Sequence, residues 1–311
     1  MTKKTWYKKY TCQELCKYHT DQFTKWWDPD LFDWKDSWAL AQYCSDYFDV
    51  WWDAEKYNWK NGSKTLAEYQ TNNFNIWWNA EKYNWEDSWV LAQFCFKDFN
   101  IWWDAEKYNW LNGSGVLASS CVKYFDIWWD ADKFDWEGSW VLAKYCIKYF
   151  KVWWDPNKWN WEKDSWALAQ YCSDYFDVWW DSEKYNWEDG TEHLTEYCSE
   201  YFNIWWDAKK FNWEDSWALA KYCIKYFKIW WDAKKFEWEV NSWALAKYCS
   251  RYFDIWWNDE KYNWRYGKDN LNKYCSSKFS NLQLKQLLLH SNKKAREFAI
   301  EELERRENDK R

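Results

Sequence analysis

Residues 36–52 carry a helical rhythm of apolar and polar positions. Leu40, Ala41, Cys44, Tyr47, Phe48 and Trp51 fall at offsets 0, 1, 4, 7, 8 and 11, one face of a helix over three turns. Tyr43 and Val50 extend the apolar side, and Gln42, Asp46 and Asp49 form the one consistently polar stripe. A helix with a single narrow wet stripe is covered on two sides, as inside a stack of helices. The same rhythm returns along the chain, marked by tryptophan pairs that start at Trp26, Trp51, Trp77, Trp102, Trp128, Trp153, Trp179, Trp205, Trp230 and Trp256. The intervals are 25 or 26 residues. A unit of this size cannot bury its own apolar face, so a fixed period means a stacked array.

The punctuation between pairs gives the expected unit. Asp36 and Ser37 have equivalents restricted to Asp, Gly or Asn and then Ser or Thr. The first set tolerates left-handed backbone and the second caps helix N-termini. Asp or Asn follows every tryptophan pair, twice before Pro, in Asp28-Pro29 and Asp155-Pro156. Proline disfavours helix at the residue before it and suits the first position of a new one. The long helix is therefore expected to end at the pair, with a short helical turn following through Tyr57 to Trp59. All length variation lies between the last Trp of a unit and its Ser, which reads as a loop absorbing insertions.

The fold expected is all-α: a right-handed α-solenoid of about ten 25–26-residue repeats, each one long helix plus one short helical turn, with a C-terminal capping helix. Residues 1–11 are a basic, aromatic tail, 12–282 the tandem repeat, and 283–311 capping helices rich in Leu and then in charge. Helix, turn and short helix at about 25 residues resembles short-period α-solenoids of the HEAT and leucine-rich-repeat-variant kind, across roughly residues 12–290. The resemblance is architectural. The Trp-Trp-Asp signature belongs to neither pattern, and no functional residue is carried across.

Composition sharpens this picture. Apolar residues make up 48% and aromatics 26%, which excludes a disordered chain. Mean hydropathy is −0.95 and no stretch approaches the roughly 20 apolar residues of a membrane span. No apolar run follows the first residues as in a secretory leader, so a cytoplasmic location is expected. Nine cysteines, Cys44 to Cys275, share one repeat position. Stacked helices lie roughly 8–10 Å apart, whereas a disulfide needs Cα atoms within about 7 Å, so a ladder of reduced, buried thiols in a reducing compartment is expected. Cys12, Cys16 and His19 suggest a metal motif at first sight. Their register places them on Ser37, Ala41 and Cys44, which favours a variant of the core.

No catalytic constellation is present. His19, His193 and His290 sit in separate atypical units, there is no glycine-rich phosphate loop or nucleophile elbow, and the carboxylates recur as identical rows. The expectation is a non-enzymatic scaffold without cofactor or metal. Arrays of this kind bind partners along an extended surface. The net charge of −7 and the scarcity of Arg in the repeats argue against nucleic acid as the partner. Within the polar stripe three consecutive units make one unusual choice: Phe96-Lys97, Val122-Lys123 and Ile147-Lys148, against Ser45-Asp46 or Ser173-Asp174 elsewhere. With Lys144 and Lys151 these form an apolar-basic strip about 20 Å long, suited to an acidic segment of a partner protein. A second reading assigns the row Trp38, Trp89, Trp140, Trp166, Trp217 and Trp243 to stacking on glycans or single-stranded nucleic acid.

Overall fold

A computed structural model of the chain describes residues 2–309, and no strand occurs among them. The architecture is an all-α repeat of the solenoid class with a final helix, Lys293–Asn308. The chain divides into two compact bodies, the first ending at Trp159 and the second beginning at Asn160.

The long helix of each unit is broken once. In the second unit it consists of the helix Ser37–Tyr43, a 3-10 turn Ser45–Tyr47 and a short helix Phe48–Trp51. The break falls at Cys44, whose φ of −117° and ψ of 36° leave the helical region. Two bonds hold it there. The Cys44 carbonyl accepts from Tyr47 N–H at 3.0 Å and from the Trp51 indole Nε1–H at 2.9 Å. The first Trp of each pair thus plugs the core with its ring and takes up a carbonyl that an intact helix would spend on its own backbone. Equivalent bonds run from Trp77 to Gln70, Trp128 to Cys121 and Trp205 to Cys198. The 3-10 turn preserves the apolar face while breaking the helix, because three residues per turn keep nearly the same register.

The short helical turn after the pair is present: Tyr57 N–H donates to the Asp53 carbonyl and closes a single turn, and Trp59 begins the next helix, Trp59–Tyr69. One further expectation is corrected, because the insertion site is no loop. Where three residues separate Trp from the Ser position, as from Trp59 to Ser63, the stretch winds as α-helix continuous with the rest. Where two do, as from Trp34 to Ser37, it forms a 3-10 turn, Trp34–Asp36. One residue more or less is absorbed by winding the first turn as α or as 3-10.

The caps move accordingly. Asn58 Oδ1 accepts from Asn61 N–H and Asp33 Oδ1 from Lys35 N–H, so the residue before each Trp is the N-cap. Ser37 reaches into the following unit instead, where its Oγ accepts from Asn58 N–H at 2.9 Å. Its equivalents Ser63, Ser88 and Ser242 do likewise. The Asp36 position needs no left-handed backbone, and no described residue has positive φ. Asp53 Oδ1 accepts from the Glu55 and Lys56 N–H groups, shaping the turn after the pair.

Each unit contributes the same cluster to the core. Phe48, Trp51 and Tyr57 are buried, Phe48 stacks on Trp52 at 5.3 Å, and Trp52 meets Trp59 edge-on at 5.7 Å. Units are then tied together by polar bonds. Cys95 and Cys121 donate Sγ–H to the Ala67 and Ala92 carbonyls of the preceding unit, at 3.4 and 3.5 Å. These carbonyls belong to the last turn before the break, which the helix itself leaves unpaired. Gln70, where the third unit lacks Cys, makes the same bond with Nε2 to Ala41 at 2.7 Å. The eleven cysteines are buried and free.

Register also explains the first unit. Cys12 accepts Asp33 N–H on Sγ at 3.2 Å, the bond Ser37 makes, and the His19 carbonyl receives Trp26 Nε1–H, as Cys44 does from Trp51. Residues expected to stand apart as a tail form the helix Lys3–Lys9, whose Trp6 packs on His19 at 5.1 Å. At the other end Glu302, buried in the final helix, is held by Arg305 and Arg306, and Arg306 also donates to the Ser276 and Phe279 carbonyls.

Candidate docking surface

The 3-10 turns that follow each break set the geometry of the strip. Phe96, Val122 and Ile147 are the first residues of the turns Phe96–Asp98, Val122–Tyr124 and Ile147–Tyr149, and all three are half-buried. Lys97, Lys123 and Lys148 come second and are exposed. The third residues, Tyr124 and Tyr149, stack on the Phe of the preceding unit, Phe99 and Phe125, with ring centres 4.4 and 4.1 Å apart. Each turn therefore packs on the short helix that follows the preceding turn, which sets the sequence-chosen residues of neighbouring units at the same level of the stack.

The ammonium groups are displayed rather than consumed. Lys123 and Lys148 lie over their neighbouring Tyr rings at 4.5 Å, a cation–π contact that restrains the side chain while leaving the charge in water. Lys144, on the helix before the break, lies between Trp140 and Tyr145, at 5.7 and 5.0 Å from the ring centres. Lys151 is exposed on the short helix Phe150–Trp153.

Sequence reasoning placed Val50 and its equivalents on the apolar side, and the structure corrects this. The residue before each pair points outward: Ile101, Ile127 and Val152 are 54, 56 and 59% exposed. The break explains it, since the short helix restarts with Phe48 and Trp51 inward and the two residues between them out. Each of these aliphatics lies four residues after a strip lysine, Lys97, Lys123 or Lys148, so a nonpolar ridge borders the basic row. A signal was available: a β-branched residue recurs at this position from Val50 to Ile255, whereas its neighbours on the wet side vary. The pattern Lys144–Lys151, KYCIKYFK, is also repeated letter for letter at 221–228 in the second body, which the sequence reading passed over.

The tryptophans of the second reading are half-buried. All but Trp89 meet a Tyr five residues on, as Trp38 with Tyr43 at 6.5 Å and Trp243 with Tyr248 at 6.2 Å, and Lys221 and Lys247 lie over Trp217 and Trp243. In the second body two open grooves of about 730 and 650 Å³ lie at the helix starts, lined by Trp161, Lys184 and Asp189 and by Trp187, Lys210 and Glu214 among others. Among the described residues no cluster of His, Cys, Asp and Glu is arranged to hold a metal ion, and no helix is long and apolar enough to cross a membrane.

The cysteine row is positioned for packing. Burial pushes the thiols of Cys95, Cys121 and Cys146 up to about 12, which leaves almost no thiolate near neutrality. Compared with protein-family models, with curated proteins and with solved structures, the chain matches none.

Proposed function

We propose that the protein is a non-enzymatic scaffold that holds an acidic segment of a partner protein along the strip Phe96, Lys97, Val122, Lys123, Ile147 and Lys148, with Lys144 and Lys151 at its edge. The observation that carries this reading is the adjacency of three 3-10 turns making the same apolar-then-basic choice on an otherwise repeated framework. Half-buried Phe96, Val122 and Ile147 supply a nonpolar floor, exposed lysines a charged margin, and Ile101, Ile127 and Val152 a second apolar border. Apolar centres edged with charge are how recognition surfaces are built. Lysine suits a carboxylate-rich helix or tail better than a phosphate backbone, which favours arginine forks. The solenoid class of the repeat supports the same reading, since such arrays work through extended surfaces.

The test is capture of partners from an extract of the native cell, with the natural protein beside a variant carrying Phe96→Ser, Val122→Ser, Ile147→Ser, Lys97→Asp, Lys123→Asp and Lys148→Asp. These substitutions copy residues other units carry, as in Ser45-Asp46, so the stack is expected to survive them. Loss of specific partners from the variant supports the proposal, and equal recovery rejects it. A second reading, stacking on glycans or single-stranded nucleic acid, draws on the lysine-topped tryptophans Trp217 and Trp243. Steep salt dependence of oligonucleotide binding would single it out.

A further inference from the structure

The second body carries an exposed aliphatic ridge whose flanking charges change sign halfway along. Val178, Ile204, Ile229 and Ile255 are 50–58% exposed, each on one of the short helices Phe176–Trp179, Phe202–Trp205, Phe227–Trp230 and Phe253–Trp256. Ring stacks join consecutive units at this level: Phe176 with Tyr201, Phe202 with Tyr226 and Phe227 with Tyr252, all at 4.3–4.4 Å. The ridge is thus continuous, about 30 Å long at a helix spacing near 10 Å.

Asp174, Asp177 and Glu200 flank its first half, and Lys225, Lys228 and Arg251 its second. All six are exposed, and none is in an ion pair among the described residues. Lys225 and Arg251 lie over Tyr226 and Tyr252, and Arg251 also donates to the Ile224 carbonyl at 3.3 Å, which holds the cations at the surface. Asp254, at the basic end, is the one charge out of pattern.

We propose that this face pairs with the same face of a second copy of the chain. A ridge acidic at one end and basic at the other is self-complementary under a half-turn. A two-fold axis between the eighth and ninth units sets Glu200 opposite Lys225 of the second copy and Asp174 opposite its Arg251, with Lys228 over the second copy's Asn203 and Asp177 over its Asp254, the one like-charge pair. The same rotation lays Ile204 on Ile229 and Val178 on Ile255. Every contact occurs twice, as in isologous dimers. Side-by-side pairing in the parallel sense would set like charges together and is disfavoured. The contact is independent of the strip in the first body, so either can fail without the other.

Sedimentation equilibrium of the full chain tests this at concentrations up to about 100 µM, where small interfaces assemble. The expected result is a dimer whose dissociation constant rises at least about tenfold between roughly 50 and 500 mM salt, as screening weakens the charge pairs. Two variants then decide the matter, one with Asp174→Lys, Asp177→Lys and Glu200→Lys, the other with Lys225→Glu, Lys228→Glu and Arg251→Glu. Each alone should be monomeric, and their mixture should give a one-to-one complex, because each presents a face of a single sign and the two are opposite. A double change at exposed sites, Ile204→Ser with Ile229→Ser, should weaken the natural dimer by at least tenfold. A natural protein that stays monomeric overturns the proposal. So does a dimer indifferent to the reversals, or reversed variants that keep their native melting behaviour yet do not pair when mixed.

Discussion

Gly62→Ala introduces one methyl group where the structure has no room for it. A Cβ on Gly62 would lie 2.4 Å from the Tyr57 hydroxyl oxygen and 2.6 Å from two ring carbons. Tyr57 cannot withdraw. It is 3% exposed, packed between Trp51, Trp52 and Trp59, and its hydroxyl donates to the Gly62 carbonyl at 3.0 Å. Overpacking of this kind costs about 1–3 kcal/mol, offset by about 1 kcal/mol from the better helix propensity of Ala. A net loss of up to about 2 kcal/mol is expected. The repeats supply an internal control. Tyr108, Tyr185 and Tyr262 face Gly113, Gly190 and Gly267 in the same way, whereas Phe236 faces Asn241. Tyr57→Phe alone should cost about 1 kcal/mol for the lost hydrogen bond. Phe at 57 removes the shortest contact but keeps both ring carbons at 2.6 Å, so in its presence Gly62→Ala should still destabilise but by less, a coupling of about 1 kcal/mol between the sites. Urea titrations of the four proteins, read at constant slope, measure that coupling. Additive losses would show that the hydroxyl does not dictate the glycine.

Other outcomes follow from the same contacts. Gln70→Leu should cost about 1–3 kcal/mol by leaving the Ala41 carbonyl unpaired, whereas Gln70→Cys, the choice of most units, should cost less; chemical denaturation separates the two. A thiol reagent near pH 8 should leave Cys95, Cys121, Cys146 and Cys223 unmodified until denaturant is added, since their thiols are raised to about 12 by burial; mass spectrometry of the labelled protein reads this directly. The Glu302 carboxyl is held below its usual range by its hydrogen bond from Arg305 and then that from Arg306. A depressed carboxylate contributes its full stability above the unfolded value near 4.3 and loses it as pH falls further. Acid should therefore loosen the final helix below about pH 4, and Glu302→Gln should remove that dependence when followed by hydrogen exchange of residues 293–308.

The inward rows were legible in the sequence because their spacing states which residues share a face. Leu40, Ala41, Cys44, Phe48 and Trp51 are buried as the rhythm requires. What the rhythm could not show was the break. A 3-10 turn of three residues shifts the register too little to disturb offsets of 4, 7 and 8, so Cys44 reads as an interior helix residue. The bond that makes the break lies between a side chain and a carbonyl seven residues apart, and no propensity encodes it. The outward turn of Val50 follows from that break and was missed with it. Caps were misassigned for a related reason. Ser37 has the chemistry of a cap but spends its oxygen on Asn58 of the next unit, a contact visible only once the units are stacked. Of the strip, residue choice and order were legible, while the continuity given by the Phe–Tyr stacks and the bordering aliphatic ridge were not.

Whether Lys97, Lys123 and Lys148, with their apolar neighbours, form one surface for an acidic segment is read from a fluorescence-anisotropy titration of a labelled, glutamate-rich amphipathic helical peptide against the natural protein and the six-substitution variant. Saturable binding to the natural protein is expected, weakened by salt as surface charge pairs are screened, with at least about tenfold weaker binding to the variant, or about 1.4 kcal/mol. Equal affinity for both proteins would contradict such a surface.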